Sequence, residues 1–416
     1  MFSRLAVVSM VITLLGLAPR EERPPEPGPL EEILRSHPQW FGAVLENADR
    51  HRLQILYTRI DRDPENRPLF RSFGYRLSGD YFYPASTVKL PAAILALEKL
   101  NDLDVPGLGR DTPLRIGAAA PGQTTVEGDP TSADGRPTIA HYVRKAIVVS
   151  DNDAYNRLYE FVGQREMNER LWSRGFPDVR ILRRLESRMG PFEERETNAF
   201  VFFDGEPVIY RQLAARNPHA WRVDRPAIRQ GLGYVQDGGV VPEPLDFRYS
   251  NYLSLESLQG ILRLALFPES VAEDRRFRLT EDDCRFLYRQ MSMLPRESTE
   301  VAYPDGETHP DSYVKFFLFG DSAAPIPDGV RIFNKVGQAY GYLVDNAYVV
   351  DFDAGVEFLL TAVVQCNRNR IYNDDHYEYD EVGFPFLANL GRAVYRHELG
   401  RERPRRPDLS RFRLDD

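Results

Sequence analysis

Residues 330–365 read VRIFNKVGQAYGYLVDNAYVVDFDAGVEFLLTAVVQ. Val330–Val336, Tyr342–Phe352 and Val356–Gln365 are apolar, β-branched runs and read as three strands, the last two joined at Asp353-Ala354-Gly355. Towards the other end of the chain, Leu53–Ile60 and Leu69–Tyr75 read as two more strands, with Asp61–Pro68 as their turn. Helical spacing marks Leu30–Ala48, Ser86–Leu100, Thr138–Tyr159, Leu253–Leu266 and Thr280–Met293, and Phe384–Glu398 closes the pattern. Leu182–Ala199 is irregular and charged, 198–250 is rich in Gly and Pro, and 295–328 is loop-like. Strands at both ends with helices between them predict one sheet built from both termini and a helical subdomain inserted in the middle, an α+β architecture. No internal repeat is present.

At 416 residues and 47.8 kDa the chain holds one elaborated domain or two compact ones. Hydrophobic residues make up 42%, enough for a core, so global disorder is excluded. A net charge of −9 argues against a dedicated nucleic-acid binder. No apolar run reaches 18 residues, which excludes a polytopic membrane protein. Met1–Arg4, the apolar stretch Leu5–Ala18 and a Pro-rich segment to Pro29 read as a secretory signal or N-terminal anchor (1–18) and a linker (19–29). The chain is expected to be exported, periplasmic or extracellular, touching a membrane only through that anchor, and monomeric. Pro19 would follow a cut at Ala18, so removal and retention both stay open. Residues 30–399 form the expected catalytic domain, with extra segments at about 198–250 and 295–328, and 400–416 an Arg-rich, solvated tail.

Two cysteines exclude a disulfide-dense scaffold and a Cys-based zinc site. Cys284 and Cys366 either pair after export or remain two unrelated buried thiols. The seven His show no metal-ligand spacing, and Asn373–Glu381 with His376 reads as a solvated acidic loop before it reads as a cation site. No metal and no cofactor is expected.

Only five of the 53 basic residues are lysine: Lys89, Lys99, Lys145, Lys315 and Lys335. A buried lysine can accept a proton, whereas arginine cannot, so each retained lysine is informative. Lys89 follows Ser86 by three positions at a helix start. That spacing puts the two side chains on one face, where a desolvated amine can activate a hydroxyl. Ser150-Asp151-Asn152 lies inside an apolar helical stretch with Asn156 one turn on, and polar groups there must find partners. Lys335-Val336-Gly337 lies on a strand, where glycine allows close backbone approach. Each pattern alone is common; their joint order and spacing are not.

Ser-x-x-Lys, Ser-Asp-Asn and Lys-x-Gly in this order resemble the signature of the class A β-lactamases and penicillin-binding proteins. The resemblance covers about Leu30–Glu398. Phe82–Lys89 is similar to the family's nucleophile region, Ser150–Asn156 to its Ser-Asp-Asn-x-Ala-x-Asn run, and Arg184, Glu186 and Arg195-Glu196-Thr197 to its omega loop. It implies an antiparallel five-stranded sheet flanked by helices. By the same resemblance Ser86 is the nucleophile. Lys89 activates it, with Glu186 a second contender for that base. Ser150 and Lys335 deliver a proton to the leaving nitrogen. Asn152 holds the substrate amide, and the N–H groups of Ser86 and Gln338 beside Gly337 form the oxyanion hole. Glu186 activates the deacylating water. Asn156 and an Arg184–Glu196 pair support the loop.

Three departures stand out. Val336 replaces the family's Thr, Gly190 stands where the water-holding Asn follows the Glu by four, and no Arg occurs between Lys335 and Gln365. The resemblance therefore implies an acyl-enzyme serine hydrolase of a small β-lactam or peptidoglycan-derived substrate. The alternatives on the same scaffold are a D-alanyl peptidase, an esterase, or a penicillin-binding sensor that does not turn over.

Overall fold

A computed structural model describes residues 28–77, 79–205, 207–298 and 309–414; the expected signal and nearly all of the linker lie outside them. Five strands, β1 (Gln54–Arg62), β2 (Pro68–Tyr75), β10 (Val330–Ala339), β11 (Tyr342–Asp351) and β12 (Val356–Gln365), form one sheet in the order β10-β11-β12-β1-β2. Every pairing is antiparallel, and Tyr57 of β1 stands opposite Leu360 on one side and Phe73 on the other. Alternate residues feed two cores. Ile55, Tyr57, Val349 and Leu360 pack under α1 (Pro29–Arg35), α2 (Pro38–Leu45) and α9 (Phe384–Gly400). Leu56, Tyr348, Val350 and Leu359 pack under the helices on the other face. With both faces covered, β11 and β12 are buried throughout, which is why they read as unbroken apolar runs rather than as alternation.

The helical face comprises α3 (Lys89–Leu103), α4 (Ile139–Val148), α5 (Asn152–Val162), α6 (Gln164–Ser173), α7 (Leu255–Leu266) and α8 (Glu281–Ser292). Their starts are capped as their sequences dictate: Thr138 accepts from His141 N, Asp151 from Ala154 N, and Thr280 and Asp283 form a reciprocal capping box. Two expected helices each prove to be two. Leu30–Ala48 breaks at Ser36-His37 because Pro38 cannot donate and restricts the residue before it. Thr138–Tyr159 breaks at Val149–Asp151, with Ser150 left-handed at φ 60°.

Residues 198–250 are not one appendage. β4 (Phe200–Phe203) and β5 (Val208–Gln212) extend β3 (Leu114–Ile116) into a small sheet. Farther on, β6 (Arg229–Gln230) pairs with β9 (Leu245–Asp246), while β7 (Gly233–Gln236) and β8 (Gly239–Val241) join β13 (Ile371–Tyr372). The Arg-rich end is not a solvated tail. Phe412 is 1% exposed and packs against Phe267, Phe333 and Tyr348, and Arg411 donates to Leu266 O at 2.7 Å. Cys284 and Cys366 are both free, and Cys366 sits in the core beneath α9. Among the described residues no helix is long and apolar enough to cross a membrane, and no His/Cys/Asp/Glu cluster could hold a metal.

Candidate active site

α3 is a central helix, buried from Lys89 to Leu97. It is entered through a tight 3-10 turn, Ala85–Val88, in which Ala85 holds a left-handed φ of 46°. Such a conformation in a non-glycine residue costs energy and persists only where the surroundings impose it. Here Thr87 donates from both N and Oγ1 to Pro84 O. β10 closes the other side: a Cβ on Gly337 would stand 2.6 Å from Pro84 O and 3.1 Å from Ser86 N. Only glycine lets the edge strand approach the Ser86 turn this closely.

Three elements then converge on one cluster. Lys89 Nζ donates to Ser86 Oγ at 2.8 Å, Asn152 Oδ1 at 2.6 Å, Ser150 Oγ at 3.2 Å and the Ser150 carbonyl. Lys335 reaches across from β10 and donates to Ser150 Oγ at 2.9 Å and Val336 O at 3.0 Å. The break between α4 and α5 is what makes this possible, since left-handed Ser150 turns both its hydroxyl and its carbonyl towards the lysines. Asp151 caps α5 and faces Lys145 at 3.6 Å.

Both lysines are almost wholly buried. Burial pushes the Lys89 ammonium down to about 7, against the opposing pull of Asp151 and Glu186. Burial, with the charges of Lys89 and Lys315 added, holds Lys335 well below its ordinary range. An amine that titrates near neutrality beside a hydroxyl is chemically fit to take its proton.

Glu186 lines the same cavity as Ser86, about 610 Å³ in volume, but is exposed with a left-handed φ of 52° and makes no hydrogen bond among the described residues. Its loop is tied down on either side. Asn156 bonds both the N–H and the carbonyl of Leu185, at 2.8 and 3.0 Å. Arg184, 4% exposed, clamps Glu160 at 2.8 Å and Glu194 at 3.1 Å and lies over the Tyr159 ring. This corrects the expected Arg184–Glu196 pair: Glu196 offers Arg184 only its carbonyl, and its carboxylate turns to Arg216. The 3-10 turn Glu193–Arg195 points Glu194 inward instead. Gln338 is exposed on the cavity wall two positions after Val336.

Sequence reasoning passed over Glu160, Glu194, and the aromatic lining that includes Tyr313, Phe316 and Tyr340. It also left Lys315 unused, although its survival as one of five lysines was a signal. Lys315 is 2% exposed and donates to Asn334 Oδ1 and Met291 O. A larger cavity, about 910 Å³, lies beside α6, where Lys99 and Arg170 both pair with Glu166; none of Ser86, Lys89, Ser150, Asn152 and Lys335 lines it.

Residues 55–204 match the model of the beta-lactamase enzyme family. No curated protein matches the sequence significantly. Solved structures similar to this chain include a beta-lactamase from Xanthomonas campestris pv. campestris, 15% identical, TM-score 0.49, spanning 89% of this chain and 99% of that one. An ancestral class A beta-lactamase and a beta-lactamase from Streptosporangium roseum are each 16% identical, with TM-scores of 0.47, spanning 88% of this chain and 99% of theirs. The stretch 55–204 that matches this family model carries Ser86, Lys89, Ser150 and Asn152.

Proposed function

We propose that the protein is an exported serine hydrolase that opens β-lactam or related amide bonds through an acyl-enzyme on Ser86. The observation that carries this is the two-lysine cluster: one buried amine on the Ser86 hydroxyl, and a second on Ser150. The export part rests on the apolar stretch Leu5–Ala18 alone.

In the acylation step neutral Lys89 takes the Ser86 proton as Oγ bonds to the carbonyl carbon. The resulting oxyanion lies at the N–H groups of Ser86 and Gln338. The proton then passes through Ser150, held by Lys335, to the leaving nitrogen as the C–N bond breaks. Asn152, whose Oδ1 orients Lys89, presents its amide to the substrate.

The surroundings of Glu186 favour slow deacylation. Glu186 makes no hydrogen bond among the described residues, and Gly190 offers no side chain. A second reading, a long-lived adduct characteristic of a slow hydrolase or a sensor, gains from this looseness, since misplacing a reacting group by an ångström costs about 10²-fold. Intact-mass spectrometry with a penicillin tests both readings. An adduct on Ser86 that persists for minutes and vanishes in Ser86→Ala is the expected result. Loss of the nucleophile should cost on the order of 10⁴ to 10⁶ in turnover. Labelling that survives in Ser86→Ala refutes the proposal.

A further inference from the structure

The cavity wall facing the 182–199 loop comes from the segment 309–318, and its construction bears on which substrates fit. A 3-10 turn, Asp311–Val314, leads into Lys315–Leu318, which lies against the face of β10 that carries Asn334 and Val336. Buried hydrogen bonds hold it there. Asp345, opposite Val336 on β11, accepts from Phe316 N and Phe317 N at 3.1 Å each. Asn334 donates to Val314 O at 2.9 Å and Asp345 Oδ1 at 2.8 Å, and Lys315 locks onto Asn334 from behind. Tyr313, 40% exposed, and Phe316 are thereby placed in the cavity beside Val336.

This wall offers an anion no counter-charge. Its lysine, Lys315, is turned inward, and Asp345, the residue paired with Val336 on β11, is a carboxylate. Arg183 and Arg184, the guanidinium groups lining the cavity, are on the opposite loop, and each is engaged by carbonyls or carboxylates there. A carboxylate pressed against Phe316 and Val336 would lose its water with only the neutral hydroxyl of Tyr313 to replace it, and no counter-charge. Ser150, the proposed proton donor to the leaving group, lines the same cavity as Tyr313, Phe316 and Val336 and is held by Lys335 of β10.

We infer, resting on the acyl-enzyme reading above, that the site selects acyl donors whose leaving group is uncharged and apolar or aromatic. These are amides or esters with no carboxylate beside the scissile bond. In each, Ser86 Oγ bonds to the carbonyl carbon, the bond to the leaving nitrogen or oxygen breaks, and the Ser86 proton ends on the leaving group.

Two matched pairs test this on the full chain: benzylpenicillin and its methyl ester, and 3-carboxyphenyl acetate and phenyl acetate. Within each pair the change is a charge on the leaving side. Acylation of Ser86 is followed by intact mass, and each rate is divided by that compound's hydroxide-catalysed rate. The neutral member should react about ten-fold faster or more in whichever pair acylates, and Tyr313→Arg should narrow that ratio. An acidic member that reacts as fast as its neutral partner overturns the inference and leaves the acyl-enzyme reading standing. A ratio that Tyr313→Arg does not move also overturns it. No Ser86 adduct from any of the four compounds brings down both.

Discussion

Lys89 shows how one residue can serve chemistry at the expense of the fold. Its ammonium is pushed down to about 7 in the native state, while in the unfolded chain it titrates near 10.5. Between those values the unfolded state binds the proton more readily, so this residue's contribution makes stability rise with pH from about 7 to about 10.5. Two outcomes are expected. The rate of Ser86 acylation should climb through a midpoint near pH 7 as Lys89 loses its proton, which a stopped-flow or quenched mass series would show. Lys89→Met should abolish acylation yet unfold at a denaturant midpoint no lower than the parent at pH 7, because it removes a buried charge. Lys89→Arg should be inactive too, since a guanidinium keeps its proton. The other lysines follow the same logic: Lys99, Lys145 and Lys315 are each largely buried and engaged, so the residues this Arg-rich sequence wrote as lysine are those set into tight interior sites.

At the scale of elements, the site depends on two junctions. At the first, Gly337 of β10 meets the Ser86 turn. Gly337→Ala should lower acylation by 10²-fold or more, because a methyl 2.6 Å from Pro84 O must displace the nucleophile or the strand. Circular dichroism should show the fold retained. At the second, Arg184 clamps the loop that carries Glu186. Arg184→Ala leaves Glu194 buried without its counter-charge and Glu160 with Arg157 alone, and should cost about 3–5 kcal/mol in denaturant unfolding. The motif residues were legible because their spacing along the chain reflects local geometry: three positions for Ser86 and Lys89, one helical turn for Asn156. The clamp was not, because Glu160 and Glu194 belong to different elements and only the turn at Glu193–Arg195 decides which carboxylate faces inward. Ser150 was assigned to a continuous helix for a related reason. The apolar pattern runs straight through 138–159, and the left-handed residue that breaks it is imposed by the lysines it serves.

Over the whole molecule, the centre of the main sheet was readable because two-sided burial leaves an unmistakable trace in β11 and β12, while the half-exposed edge strand β2 was read from the turn that joins it to β1. The small strands between Phe200 and Asp246 were not, because they are short, half-exposed and built from Gly-rich sequence. Nor was the docking of the C-terminus, where one aromatic among arginines does the packing. Phe412→Ala should cost about 3–5 kcal/mol, read as a lower denaturant midpoint with an unchanged slope, even though it lies only four residues from the end.

The pairing of β1 with β12 carries a consequence in time. Gln54 finds its partner Val363 only after roughly three hundred further residues have been made, and a sheet closed by so distant a contact forms late. Ser86 is synthesised well before the strand that bears Lys335 and Gly337. A growing chain therefore holds Ser86 without the second lysine and without the strand that shapes its turn. On the proposed mechanism such a chain cannot yet acylate, because the amine that holds Ser150 and the glycine that seats the Ser86 turn are still to be made.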